Sequence, residues 1–472
     1  MAVQHIKIEA ITPVYIGGAA EKNFQKDIDV FYEKGMLYYI PNERLAPFTG
    51  DRELQLVVNG KFEDYKNAIK RNGANFEKLA LYKWKTVQES SQNEIKAFIR
   101  NGKGQPFIPG SSLKGAITSH LFKLLNKTRS GKLIDVASFL QLTDAHFPSD
   151  ATSILPTKIY NLQEDYNTKD KIGGWKHGRY SNEQFKNKGF VIYYETLKTG
   201  ALGFGRLKLV DKENFSFEDE KVGTKVKALN WWESENNADQ LFKIINQNTL
   251  EHLEKELAFY EKYEAEHSEK IIEEIEKLIE VCESQTDSAI LRVGGGSGFH
   301  SITGDYIHDD YAIDGFGYKS RGTRNKVNSA KSRKLAFQRK GDEYSFSPLG
   351  FVKISKITEE EFEKQRQLLN EKSAEIEEQT EAAEVEVISK PIEPKWVEFS
   401  SLKNGDVIDA KVIGTKGMRV EVKLFIKDDQ QTHSFRYPAG IETGKIISVE
   451  IKNFEGKGTN RRIQAIGFKG IK

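Results

Sequence analysis

Phe107-Ile-Pro-Gly-Ser-Ser-Leu-Lys-Gly-Ala116 decides how this chain is read. An apolar, strand-like run ends at Pro109. Gly110, Ser111 and Ser112 make a tight turn, and Leu113-Lys-Gly-Ala116 opens an amphipathic run, Ile117–Leu125. The pattern is strand, turn, helix start. The first N–H groups of a helix have no partner inside it, and the helix dipole adds partial positive charge there. Such a turn holds an anion, commonly a phosphate. Lys114 adds a full charge, and Gly115 lets a ligand backbone come close. A plain helix start capped by its serines fits the same residues, so on this segment alone both readings stand.

The spacing does not fit a nucleotide-binding P-loop. Lys114 precedes Gly115, and Ala116 stands where a magnesium-binding hydroxyl would be needed. An ATPase is not expected.

At 472 residues the chain can build two or three domains. Its net charge of +2 gives no global basic field, so a nucleic-acid surface would need local clustering. Cys282 is the only cysteine, which excludes a disulfide framework and a cysteine-rich zinc site and suits a reducing compartment. The opening residues lack the apolar core of a signal peptide. No run approaches the roughly 18 apolar residues of a spanning helix. The expectation is a soluble cytoplasmic protein with no membrane partner and no cofactor.

Four regions are expected. Residues 1–230 begin with a strand in which Ile6, Ile8 and Ala10 alternate with polar residues, followed by the loop Thr12-Pro-Val-Tyr-Ile-Gly-Gly18. Asp29–Ile40 reads as a hairpin turning at Lys34-Gly35, residues 42–100 as mostly helical and irregular, and residues 126–185 as surface loops. Gly189–Glu195 and Thr199–Val210 read as strands. Residues 231–356 hold a helical stretch over 238–283, with Cys282 in its apolar stripe as core packing. A strand at Ala289–Val293, a basic loop and a last strand at Ser347–Ile354 follow. Residues 357–394 are an acidic linker: residues 357–389 hold 11 Glu against 3 Lys or Arg, with Leu368, Leu369 and Ile376 able to support an early helix. Residues 395–472, with 15 basic and 9 acidic residues, read as a five-stranded, OB-like β-barrel.

Two further segments point to RNA. Val293-Gly-Gly-Gly-Ser-Gly-Phe-His300 lacks a dinucleotide fingerprint. It is either a flexible turn or a second place where Gly294, Gly296, Ser297 and His300 meet a ligand backbone. Then Lys319, Arg321, Arg324, Lys326, Lys331, Arg333, Lys334, Arg339 and Lys340 fall in a stretch with no acid, the electrostatic footprint of a phosphate chain. Tyr15, Phe107, Phe299 and Phe316 are candidates for stacking on bases or for the core. Metal sites look poor. His308-Asp309-Asp310 has no partner histidines at helix spacing, and His120 reads as surface. Asp27 and Asp29 could in principle support RNA cleavage, but alone they read as turn residues.

Together, Thr12–Gly18, Ile108–Ala116 and the late glycine loop resemble the RAMP superfamily of type III CRISPR effector subunits. Within it, Leu291–Gly304 and Ser347–Lys353 are similar to the subunit at the crRNA 3′ end of the Csm complex (subunit five). The resemblance covers about residues 1–355. It implies an α+β fold with a tandem ferredoxin-like (RRM-like) RAMP core, helical insertions, and a glycine turn at Gly110–Gly115 touching crRNA. It also implies a non-catalytic role capping the 3′ side of the crRNA filament in antiviral defence. The implied partners are crRNA, a neighbouring RAMP backbone subunit and maturation nucleases. Other superfamily members cut RNA through an aspartate in an N-terminal loop, so an endoribonuclease using Asp27 or Asp29 is the alternative.

Overall fold

The structure is a computed structural model. It describes residues 3–18, 23–86, 94–121, 139–178 except 165–170, 181–210, 234–298, 316–320, 323–327, 332–371, 394, and 396–471 except 417, 428–430, 438–440, 442 and 457–460. Only backbone is described at 163–164, 171, 316–320, 323–327 and 471. Two compact units divide the chain, Met1–Ala383 and Glu384–Lys472, and the division falls inside the acidic segment.

The first unit is built on two antiparallel-dominated sheets. In the first, strand Gln4–Ala10 lies between Leu202–Leu209 and Phe351–Ile357. Ser288–Arg292 extends the sheet beyond Phe351–Ile357, while Leu140–Leu142 and Ala145–His146 flank Leu202–Leu209. Residues 1–230 and 231–356 therefore share one sheet. Side chains alternate across a strand, so Ile6 and Ile8 are buried on the same face. That face packs with Leu113 and Ile117 of helix Gly110–Leu121 and with Leu241 and Ile245 of helix Asn237–Lys262. The helix over 359–371, expected early in the acidic segment, packs with Phe204, which holds Phe362 and Leu369. Phe362 stacks on His5 with ring centroids 4.6 Å apart.

The second sheet centres on Thr152–Glu164, which pairs with Lys171–Lys176, Ile192–Leu197 and Ser332–Lys340. Residues 126–185 were expected to be loops, and these strands correct that expectation. Pro156 and Lys158 interrupt the apolar pattern, but the Lys158 amine is satisfied by the Lys186 and Lys188 carbonyls. Ile271, Ile275, Leu278 and Cys282 of helix Ser268–Glu283 join the same core as Tyr160 and Trp175. The predicted helical stretch is thus two helices, separated at residues 263–267. Cys282 is buried as expected, and burial pushes its thiol up to about 11. The predicted hairpin exists as Val30–Glu33 and Met36–Tyr39, with Tyr82–Lys85 added as a third strand.

In the second unit five strands pair in the order Thr432–Arg436, Arg419–Leu424, Val407–Lys416, Ile446–Glu455, Arg462–Ile471. The sheet is nearly closed, with Phe435 stacked on Phe468 at 5.8 Å. Its own core includes Val412, Val422, Leu424 and Ile447.

Candidate nucleic-acid interface

The glycine-serine turn is a helix start, as its sequence predicts, but its donors are partly spent. Gly110 N–H donates to Asp144 Oδ1 at 2.8 Å. Ser112 and Leu113 N–H both donate to the Pro109 carbonyl. Asp144 acts as a built-in anion, so a row of free N–H groups is not what this turn offers. Gly110 has a packing reason: a methyl there would run into the Leu142 carbonyl. What remains outward is Ser111, Lys114 and Gly115, spaced i, i+3, i+4 on one helix face. Ser111 and Gly115 are exposed, Gly115 has open space where a side chain would stand, and Lys114 makes no ion pair among the described residues. Leu113, Ala116 and Ile117 fix that orientation from the buried side. The face can hold a phosphate against a compact cation with a backbone close by.

The glycine-rich loop joins two other motifs. Gly295 N–H donates to the Tyr15 carbonyl and Val293 N–H to the Gly350 carbonyl, both at 2.8 Å. Gly350 N–H donates to Pro13, and Phe351 N–H to Thr12 Oγ1. Gly294 sits at φ +88°, and a methyl on it would strike the Tyr15 carbonyl. Gly296 packs against Leu349. Ser297 is 3% exposed, and its hydroxyl donates to the Gly294 carbonyl at 2.7 Å. The backbone that Gly294 and Gly296 approach closely is thus the chain's own. Tyr15 lies against Tyr194 with centroids 4.3 Å apart, and Lys334 Nζ donates to the Tyr194 hydroxyl at 3.1 Å. Burial, with the neighbouring Tyr194, Glu195 and Glu94, pushes the Tyr15 hydroxyl up to about 12, so it stays a donor.

The basic run is not a single loop. Phe316–Ser320 and Thr323–Val327 form a hairpin, and Ser332–Lys340 is a strand. Arg333, expected to contact RNA, is a correction. It is 6% exposed, pairs with Glu256 at 2.9 Å, and covers the Phe259 ring at 3.4 Å. Burial raises the Glu256 carboxyl, but Arg333 and His252 more than reverse this and hold it well below the usual range. Arg339 pairs with Asp342. The side chains of Lys319, Arg324 and Lys326, with Arg321, Lys331, His300, Phe299, the Phe316 ring and His308-Asp309-Asp310, lie outside the described residues.

His120, expected at the surface, is 1% exposed. Asp27 is buried and pairs with Lys66 at 3.7 Å. Asp29 accepts the Gln25 N–H, and burial pushes its carboxyl up to about 6. No metal-binding group of His, Cys, Asp or Glu occurs among the described residues. Nor is any described helix long and apolar enough to cross a membrane. Sequence reasoning missed Asp144, Tyr194 and a groove of about 620 Å³ lined by Lys103, His146, Arg206, Phe362 and Arg366. No local motif marks these residues, because their neighbours come from distant strands.

A helix start set on an antiparallel sheet, with a glycine loop folded onto the loop after the first strand, places the chain in a mixed class of helices and sheets. Residues 7–299 match the RAMP superfamily, more than half of the chain, and the chain belongs to that superfamily. A chain in the cryo-EM structure of a Csm–crRNA–target RNA ternary complex of a type III-A CRISPR-Cas system is similar in fold. Its TM-score is 0.53 at 14% identity, over 75% of this chain and 100% of that one. The crystal structure of T. onnurineus Csm5 aligns with a TM-score of 0.49 at 15% identity, over 73% and 99%. No curated protein matches the chain.

Proposed function

We propose that the chain is a non-catalytic crRNA-binding subunit of a type III CRISPR effector, placed at the 3′ side of the crRNA. The observation that carries this reading is the outward Ser111–Lys114–Gly115 face on the superfamily's signature helix. Such a face grips phosphate and sugar and carries no sequence information, which suits a protein that must hold many guides. Likeness in fold to a chain of a Csm–crRNA complex supports the same assignment. The strand order Leu140–Leu142, Leu202–Leu209, Gln4–Ala10, Phe351–Ile357, with helices after the first strand and before the last, agrees with one ferredoxin-like half. The second unit's strand order agrees with an OB barrel. A neighbouring RAMP backbone subunit and maturation nucleases are the partners this role requires.

Cleavage through Asp29 is the second reading, favoured by a carboxyl raised toward neutrality, as a general acid or base needs. Against it, the Asp29 carboxylate already accepts the Gln25 N–H and Asp27 is paired with Lys66.

The test is to purify the chain with its co-expressed genomic neighbours and sequence the RNA it carries. Short RNAs with a constant 5′ tag are expected, intact. Lys114→Gln should weaken binding of all sequences alike and lower the salt slope by about 0.7. Sequence-selective loss, or cutting abolished by Asp29→Ala with binding kept, would overturn the reading.

A further inference from the structure

The second unit carries its charge unevenly. Val407–Lys416, Arg419–Leu424 and Thr432–Arg436 form one continuous surface. Cross-strand partners share a face, so the registers Lys411↔Lys423↔Thr432 and Lys416↔Arg419↔Arg436 place five cations on its outer side. Val412, Val420, Val422 and Phe435 point the other way, into the core. Lys411, Lys416, Arg419, Lys423 and Arg436 are all exposed. None of the five pairs with a carboxylate among the described residues, and Arg419 meets only the neutral Ser434 hydroxyl, at 2.9 Å. Two acids of these three strands lie on that side, Glu421 and Asp409, and Asp409 is buried.

The other two strands differ. Lys452 and Lys469 share Glu450 at 2.5 and 3.4 Å, and Arg462 pairs with Glu455 at 3.1 Å. Their cations are each paired with a carboxylate of the same two strands, while the five of the three-strand face are left for an external anion.

We propose that this face is a second binding site of the chain, for the phosphate backbone of single-stranded RNA. The spacing supports a chain rather than one ion. The cations form two rows that run across the strands, one cation per strand at intervals of about 4.8 Å, so the face presents repeated charges rather than one point. An OB barrel presents this same face and the loop between its first two strands to oligonucleotides, and that loop carries the exposed Met418 and is flanked by Lys416 and Arg419. The outer positions of the two cation rows hold no aromatic ring. Bases are therefore not stacked on them, and binding there is independent of sequence and steeply dependent on salt. The inference does not rest on the role of Lys114, because its residues all lie in the second unit.

The experiment compares the full chain with a Lys411→Gln/Lys423→Gln/Arg436→Gln variant and, separately, with Lys114→Gln. Each is titrated with fluorescent 20-nucleotide RNAs, one oligo-U and one of mixed sequence, across a salt series. Loss of three phosphate contacts should lower the salt slope by about 2 and weaken binding at least ~tenfold at low salt, equally for both RNAs. This loss should also appear in the Lys114→Gln background, which separates failure of this site from failure of the first. Unchanged affinity and slope in the triple variant would overturn the proposal. So would intact RNA binding with loss of a protein from the co-expressed complex, which would make the face a protein-docking surface.

Discussion

The amide of Gly295 donates to the carbonyl of Tyr15 at 2.8 Å, and this bond ties the late glycine loop to the loop that follows the first strand. Two motifs from distant parts of the sequence are thus halves of one packed junction, closed by Leu349 and Gly350 from a third. The glycines are needed because backbone lies on backbone there.

Gly294→Ala tests that junction. The residue sits at φ +88° with the Tyr15 carbonyl where a methyl would go. Left-handed strain and overpacking together should cost roughly 2–4 kcal/mol. Urea unfolding of the full chain should show the loss, while Gly115→Ala, with open space, should be neutral or mildly stabilising.

Arg333→Met removes one partner of the buried Arg333–Glu256 pair. An uncompensated buried carboxylate costs about 3–5 kcal/mol. Because the Glu256 carboxyl is depressed when paired, the pair stabilises the native chain above the ordinary carboxylate range and that contribution fades as pH falls. In the variant Glu256 protonates readily. The stability gap between the two proteins, measured by denaturant melts, should therefore narrow from pH 7 toward pH 4. A gap independent of pH would show that packing on Phe259, not charge, dominates.

Asp29→Asn should behave in the opposite sense. Burial raises the Asp29 carboxyl to about 6, so its folded state favours the proton. Its contribution is full below the unfolded value near 4 and is lost as pH rises through about 6. Asn keeps an oxygen for the Gln25 N–H without the buried charge. A gain of about 1–2 kcal/mol at pH 7.5, disappearing by pH 4, is expected in thermal melts. Loss of stability at every pH would mean that the charged hydrogen bond outweighs burial.

Phe362→Ala should release the helix over 359–371. Its ring stacks on His5 and lies under the Arg206 guanidinium at 4.8 Å. Hydrogen exchange should accelerate about a hundredfold in residues 359–371, while strand Gln4–Ala10 keeps its protection. Equal acceleration in both would mean that the helix is integral to the sheet's stability.

Much of the scaffold was legible locally. Alternation in Ile6, Ile8 and Ala10 marks a half-buried strand, and the apolar stripe through Ile271, Ile275, Leu278 and Cys282 marks a helix face. The signature turn reads as a helix start because glycine, serine and an apolar run occur in that order. Long strand Thr152–Glu164 was not legible, because Pro156 and Lys158 are accommodated by distant carbonyls and partner strands.

What the sequence alone determined is the set of short-range patterns: the helix start, the glycine loop, the acidic segment and the five-stranded basic unit. Their physical basis is backbone geometry and side-chain period, which act over a few residues. Which cations are spent and which are free was decided only by tertiary structure. Arg333 and Lys334 are adjacent and chemically alike in sequence, yet Arg333 is buried against Glu256 and Lys334 reaches the Tyr194 hydroxyl. Charge availability depends on what stands within a few ångströms, and in a folded chain those neighbours come from elsewhere in the sequence.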